Sequence, residues 1–335
     1  MKINQRLFDH YGIDTKKDLA IAKLCPRPYD TVLIDKRGSC YVCECQSWLP
    51  QSIGNLQINS LQQILESGLR GQLQDSIQDS SYRYCNNQQC SWLLTKEFNH
   101  FHDDVPGVPV SNIRLAIDDS CNLRCPSCRK GMIFHKQGSD YERRVRLADK
   151  INQWLNKQTH EVKVHIGSDG DPFASHVYQR FMENTPRHNN ITYSLLTNGL
   201  MYKESIDRLP HISRNLSKLG VSIDGATAET YEKLRLGGRW DKIVKSLDSI
   251  TDDKSRHGFQ LEWHMVVQND NWHEMSAMAE MATRHNVDQL FLNKIEDWNT
   301  SLDHGLQDFM SHDGYKEELA RAKKFPIVRT WTLLS

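Results

Sequence analysis

The 335-residue sequence has no apolar run near the 18 residues that a membrane-spanning helix requires. Nor does it carry an excess of either charge: 42 basic and 42 acidic residues leave a formal net charge of +0. Domains that live on nucleic acid usually carry a strong basic excess, so neither a membrane nor a nucleic-acid partner is expected. The first residues, MKINQRLFDHYGIDTKKDLA, contain no apolar stretch of signal-peptide type, which makes a cytoplasmic protein the expectation. With 38% hydrophobic and 25% charged residues the chain can build a sizeable core, which excludes wholesale disorder. At roughly 150 residues per domain, the length suits one large domain or two ordinary ones.

Cysteine is absent after Cys128, yet nine cysteines precede it: Cys25, Cys40, Cys43, Cys45, Cys85, Cys90, Cys121, Cys125 and Cys128. An odd number without an export signal argues against a disulfide framework. Thiols used as small hydrophobes would scatter, so this clustering points to metal ligation. The last three form Cys121-Asn-Leu-Arg-Cys125-Pro-Ser-Cys128, a tight loop able to wrap three corners of an iron–sulfur cube. Three thiolates leave one iron of a four-iron cluster open, and an open coordination position is how a metal site activates a ligand. The competing reading is a zinc knuckle completed by a histidine such as His135.

From residue 112 onward, short apolar strands alternate with helical segments. Strands are expected at 112–118, 161–167, 191–197, 219–224, 260–268 and 288–295, with helices over YERRVRLADKINQWLNK and WDKIVKSLDSI. Six β/α units in series predict a barrel-like or open α/β sheet, with its active site at the C-terminal strand ends. The three-cysteine loop begins just beyond the first strand, at that end. Alternation places Ser222, Asp224, Glu262 and His264 opposite apolar faces, and Lys163 and His165 opposite Val162, Val164 and Ile166. His165, Ser222, Asp224 and His264 are therefore expected to line a wet cavity, whereas Lys163 and Glu262 are placed at a solvated rim. Gly167-Ser168-Asp169-Gly170-Asp171-Pro172, Thr197-Asn198-Gly199 and Asp224-Gly225 follow successive strands, where glycine lets backbone groups grip a polar ligand. Met275, Met278 and Met281 follow helical spacing and read as core.

The CxxxCxxC loop, the GSDGDP turn, TNG and SIDG together resemble the radical S-adenosylmethionine (radical SAM) superfamily over about residues 110–300. The stretch VSIDGATAETYEKLRLGGRWDKIVKSL resembles members with auxiliary clusters. The resemblance implies an α/β fold, a partial (β/α)6 TIM barrel, with a [4Fe–4S] cluster on Cys121, Cys125 and Cys128 whose fourth iron is chelated by SAM. Reductive cleavage of SAM to a 5′-deoxyadenosyl radical would then abstract hydrogen from substrate. The same resemblance puts the Gly167, Ser168, Asp169, Gly170 and Asp171 backbone at the methionyl amino group, and Ser194, Thr197 or Asn198 near the ribose. Ser222 is a further ribose contact, and Arg235 matches the arginine that pairs with the SAM carboxylate. His165, Asp224 and His264 remain the substrate-cavity residues. Ser127 stands where the family usually has an aromatic residue.

Residues 1–95 resemble a SPASM auxiliary-cluster module placed ahead of the barrel instead of behind it. The resemblance implies Cys25, Cys43, Cys85 and Cys90 as ligands of a second, auxiliary [4Fe–4S] cluster, with Cys45 able to replace Cys43 and Cys40 spare. A four-thiolate zinc site is the alternative. A linker at 96–110, a barrel at 111–300 and a C-terminal helix and tail at 301–335 complete the expected organisation. His100, His102, Asp103 and Asp104 read as a solvated part of the linker, and Glu296 and Asp297 as acids near the cavity mouth.

The function expected is a cytoplasmic radical SAM oxidoreductase acting on a peptide or small polar molecule. Oxidation, crosslinking or epimerisation would follow, with a flavodoxin or ferredoxin as reductant. A non-catalytic zinc or iron–sulfur binding module and a radical SAM sugar or metabolite dehydrogenase are the alternatives.

Overall fold

The computed structural model describes residues 25–79, 81–86, 88–90, 92–93, 107, 109–296 and 307–330. Their strands are β1 (Thr31–Asp35), β2 (Ser39–Tyr41), β3 (Ser52–Asn55), β4 (Asn112–Ala116), β5 (Val162–Ile166), β6 (Ile191–Thr197), β7 (Leu216–Ser222), β8 (Gln260–Val267), β9 (Gln289–Lys294) and β10 (Val328–Thr330). Packing divides the chain into two compact units. The first takes the described part of residues 1–118 with Gln137–Ser168 and Asn184–Ile191; the second takes Asp119–Lys136, Asp169–Glu183 and the described part of residues 192–335.

In the first unit the strand order is β3-β2-β1-β4-β5. The Asp35–Ser39 reversal is set locally. Asp35 Oδ1 accepts the backbone N–H groups of Arg37 and Ser39 at 2.9 and 2.8 Å, while Gly38 adopts φ +81°. A Cβ on Gly38 would stand 2.9 Å from Leu147 Cδ2, so both conformation and space require glycine there. The hairpin then adds to the β4 edge, with β1 parallel to β4 from Thr31↔Asn112 to Asp35↔Ala116. Helix Ser139–Leu155 buries Leu147, Ala148, Ile151 and Leu155, one stripe at helical spacing. Compactness therefore groups the N-terminal strands with β4 and β5.

In the second unit β6, β7, β8, β9 and β10 run parallel in sequence order. Leu261, Trp263, Met265 and Val267 of β8 are buried on one face, whereas His264 and Val266 on the other are half-buried. Helices Trp240–His257 and Met275–Arg284 bury Ile243, Leu247 and Ile250, and Met275, Met278 and Met281.

The six expected strands are present as β4 to β9, alternating with helices, and the fold is α/β with parallel strands, consistent with a partial (β/α)6 TIM barrel. The strand expected at 219–224 runs from Leu216 to Ser222, starting three residues earlier and ending two earlier, although Ile223 N–H still donates to His264 O at 2.9 Å. Strands β1, β2, β3 and β10 have three to five residues each, too short to show a period. The expected C-terminal helix is Tyr315–Ala322, and β10 occupies the extended end. His100, His102, Asp103, Asp104 and Asp297 lie outside the described residues. No helix among the described residues is long and apolar enough to cross a membrane.

Candidate active site

The three-cysteine loop is shaped by its own backbone. Cys121 N–H donates to Ile133 O at 2.8 Å, and the N–H groups of Cys128 and Arg129 both donate to Cys125 O, at 2.9 and 3.0 Å. Four donors then reach the sulfurs. Leu123 N–H lies 3.5 Å and Asn198 Nδ2 3.8 Å from Cys121 Sγ, Arg129 Nε 3.4 Å from Cys128 Sγ, and an Arg235 terminal nitrogen 3.9 Å from Cys125 Sγ. Burial pushes the Cys121 thiol up to about 11, and burial also raises Cys125 against the opposing charge of Arg235. Donors convergent on the three sulfurs suit thiolates that share their charge with bound metal.

Zinc fits this loop poorly. Zinc–sulfur bonds near 2.3 Å in a tetrahedron place the sulfurs roughly 3.8 Å apart. Among the described residues no three cysteine sulfurs lie within 4.8 Å of one another. His135, the expected fourth zinc ligand, instead pairs through Nε2 with Asp119 Oδ1 at 2.9 Å. The wider spread suits a four-iron cube.

Arg129 ties the loop to its surroundings, donating to the carbonyls of Asp119 and Asp169 at 2.7 and 2.8 Å. Asp171 joins two of the expected cofactor turns. Its Oδ1 accepts Phe173 and Ala174 N–H at 3.0 and 3.1 Å, and its Oδ2 accepts Thr197 Oγ1 and Asn198 N–H at 2.8 Å each. Every acceptor direction of that carboxylate is used, so its side chain is a clamp between turns and not a free ligand. Asn198 is likewise committed, with Nδ2 2.8 Å from Asn122 Oδ1.

The fourth-strand turn has a clamp of its own. Asp224 Oδ2 pairs with Arg235 Nε at 2.8 Å and its Oδ1 accepts Val266 N–H at 2.9 Å. Asp224 is therefore closed off from the cavity in which it was expected. Arg235 faces the cysteine loop, with part of its guanidinium already held by Asp224. Burial works against the arginine's charge, but the Asp224 carboxylate outweighs it and raises the Arg235 pKa. Gly225 is obligatory here, because a Cβ would stand 2.4 Å from Tyr231 N.

Polar groups do collect on the half-buried face of β7, β8 and β9. Ser222 lies opposite His264 in register, His264 stacks on Phe291 with ring centroids 5.0 Å apart, and Glu262 pairs with Lys218 at 3.1 Å. Glu262, expected at a solvated rim, is 6% exposed, because Lys218 and His264 enclose it. Burial alone would raise its carboxyl, but the facing His264 and Lys218 hold it below the usual range. Gly220 leaves room for Leu196 and the imidazole, since a Cβ there would lie 2.8 Å from Leu196 Cδ1 and 3.3 Å from His264 Nε2. Ser194 is buried on β6. In the first unit, His165 is half-buried on β5 beside Arg114 of β4, Lys163 is exposed, Gly167 has φ +111° and Ser168 is exposed.

Residues 117–282, which contain this loop and all three turns of the second unit, match the family model described as the Radical SAM superfamily. The chain belongs to the radical SAM superfamily. This radical SAM chain is 24% identical over 190 residues to a GTP 3′,8-cyclase of Synechocystis, covering 56% of this chain and 55% of that protein. It is 29% identical over 151 residues to a probable GTP 3′,8-cyclase of Archaeoglobus fulgidus, covering 44% and 47%. The chain spans about half the length of the curated relatives it matches. Similar solved structures include Streptococcus suis SuiB bound to precursor peptide SuiA, with 10% identity, 80% and 62% coverage and TM-score 0.47. The structure of native anSMEcpe with bound AdoMet gives 20% identity, 56% and 52% coverage and TM-score 0.39.

The first unit of the radical SAM chain holds a second set of thiols. Cys25, Cys43, Cys85 and Cys90 line one pocket walled by Trp48, Ile77, Tyr82, Trp92 and Leu93. Neither Cys40 nor Cys45 lines it. Burial raises all four thiols, Cys43 to about 12. Arg27 roofs the site, 4.8 Å above the Trp92 ring and 2.9 Å from Glu44, which also meets Arg114. Cys40 is fully buried elsewhere, its sulfur 3.7 Å from Gly38 O.

Several residues that build these sites were not anticipated. Asn122 sits inside the cysteine motif and Arg129 directly after it, but neither shows a pattern of its own. Glu274 is buried far along the chain, where it accepts Ala226 N–H, Thr227 Oγ1 and Thr230 Oγ1 at 2.6, 2.8 and 2.6 Å. Its only sequence signal is an acid two residues beyond Trp272.

Proposed function

We propose that the chain reductively cleaves SAM and abstracts hydrogen from a polar substrate, a peptide or a small molecule. Cys121, Cys125 and Cys128 hold the SAM-binding [4Fe–4S] cluster, and Cys25, Cys43, Cys85 and Cys90 hold an auxiliary one. When bound, the first cluster and SAM supply one-electron reduction of the sulfonium and a 5′-deoxyadenosyl radical. Family membership and the donors convergent on the three loop sulfurs carry this reading. The protein's own residues do the rest. Arg129 and Asn198 fix the cysteine loop, the Asp171 clamp holds the Gly170 and Asn198 turns in place, and Arg235 presents its remaining N–H groups toward the SAM carboxylate.

Ser222, His264 and Phe291 form the substrate wall, with Glu262 and Lys218 behind it. In the second unit the backbone of Asp169 to Asp171 receives the methionyl amino group, and Ser194 and Thr197 stand with Asn198 at the ribose. In the first unit, four thiols around one apolar pocket, no three of them within 4.8 Å, support a cube over a single zinc ion. A cluster held by those four thiols would supply a second redox centre of the kind that oxidation or crosslinking needs, and a flavodoxin or ferredoxin would supply the reducing electron.

A second reading, nucleotide cyclisation, is favoured by the matched GTP 3′,8-cyclases. Metal and sulfide content after anaerobic reconstitution tests the cluster assignments. About eight irons with matching sulfide are expected from the two cysteine sets. Zinc without sulfide would overturn the proposal.

A further inference from the structure

The cysteine loop carries an exposed surface as well as its buried part. Cys125 is 6% exposed, whereas Cys128 is open to solvent, so an electron arriving from outside meets Cys128 first. Around it the chain is one-sided in charge. Residues 120–139 contain Arg124, Arg129, Lys130 and Lys136 and no aspartate or glutamate, in a protein whose charges otherwise balance at 42 to 42. Arg124, Lys130 and Lys136 are exposed.

The same segment holds Met132 and Phe134, 48% and 43% exposed, two of the four exposed large hydrophobics among the described residues. Ile133 between them is tied back to Cys121, which turns both neighbours outward. Lys136 Nζ lies 5.0 Å over the Phe134 ring, so charge and apolar surface belong to one patch. The nearby carboxylate of Asp119 is occupied by His135. Asp169 is exposed, and its carbonyl is bound by Arg129.

We infer that this face, Cys128 with Arg124, Lys130, Met132, Phe134 and Lys136, is the docking surface for an acidic electron-carrier protein. The inference rests on the reading of Cys121, Cys125 and Cys128 as cluster ligands. A small neutral reductant needs no such surface. An apolar centre with a basic rim fits a small transient interface in which charge steers encounter. The step balances: the reduced carrier loses one electron and the cluster site gains it, with no proton or group transferred.

The test uses the reconstituted full chain with oxidised flavodoxin and, in parallel, a plant-type ferredoxin, both acidic. Calorimetry gives the affinity at low and high salt, and 5′-deoxyadenosine formation is followed with carrier or with dithionite. The inference predicts wild-type binding that weakens with salt, and about tenfold weaker binding by Lys130→Glu/Lys136→Glu at low salt. Phe134→Ala should weaken binding at both salt levels, since it removes apolar contact. Both variants should keep wild-type iron content and dithionite-driven SAM cleavage. Unchanged carrier affinity in the charge-reversed variant, or no binding of either carrier to wild type, overturns the inference. Failure of dithionite to drive cleavage in iron-loaded wild type overturns the cluster reading itself.

Discussion

The Asp224–Arg235 pair is the most exposed point of the site to mutation, because both partners are buried and one of them faces the cysteine loop. Their side chains are 2% and 11% exposed, and the Nε–Oδ2 separation is 2.8 Å. Removing one partner of such a pair leaves an uncompensated buried charge and costs about 3–5 kcal/mol. Asp224→Asn keeps the shape and the hydrogen bond from Val266 but deletes the charge, so its cost should fall at the lower end, about 3 kcal/mol. Arg235→Met leaves the Asp224 carboxylate buried with one fewer partner and should cost about as much. The double variant removes both charges. It should therefore be less destabilised than the sum of the singles by about 1–2 kcal/mol. Urea unfolding followed by tryptophan fluorescence, with Trp263 as a buried reporter in the same unit, measures each value. Arg235 also lies 3.9 Å from Cys125 Sγ, so its positive charge should favour the reduced cluster. Arg235→Met should lower the reduction potential of the loop cluster. Additive stabilities within about 0.5 kcal/mol together with an unmoved potential would refute the account of this pair.

In the first unit, Cys43→Ser should lose one cluster's share of iron while Cys45→Ser and Cys40→Ser retain it; iron loss from Cys45→Ser would reassign the ligand. Gly225→Ala should cost at least about 2 kcal/mol, since the new Cβ meets Tyr231 backbone that cannot step aside. A urea midpoint within error of wild type would show that the turn yields. The Cys40 thiol, pushed up to about 12 by burial, should stay protonated and resist iodoacetamide near pH 8, with labelling rising only as the pH approaches 12. Its folded pKa lies above the unfolded value, so this thiol adds stability below about pH 8.5 that is lost as pH rises through 12. Labelling of Cys40 as fast as exposed Cys128 in the metal-free protein would contradict the burial argument.

Much of the second unit was legible because its signals are local. The apolar runs of β6 to β9, the cysteine spacing and the glycine turns each declare themselves within a few residues. The roles of the acids at the strand ends were not legible in the same way. Asp171, Asp224 and Glu274 each hold at least one partner 26 to 48 residues away, a distance at which no periodic pattern reports a contact. Glu262 misled for the opposite reason. An isolated acid on an alternating strand reads as solvated, and only the register with β7 shows Lys218 enclosing it. The choice between Cys43 and Cys45 was undecidable from spacing alone, since two residues shift neither the strand nor the turn. Tertiary packing around Ile77, Tyr82 and Leu93 brings Cys25, Cys85 and Cys90 together, and Cys43 shares their pocket.

The central claim is tested most directly by incubating anaerobically reconstituted protein with SAM and dithionite and quantifying 5′-deoxyadenosine. Wild type should form it, and Cys125→Ala, which removes the buried ligand of the three, should form none. Equal formation by both proteins, or none from iron-loaded wild type, would contradict the account.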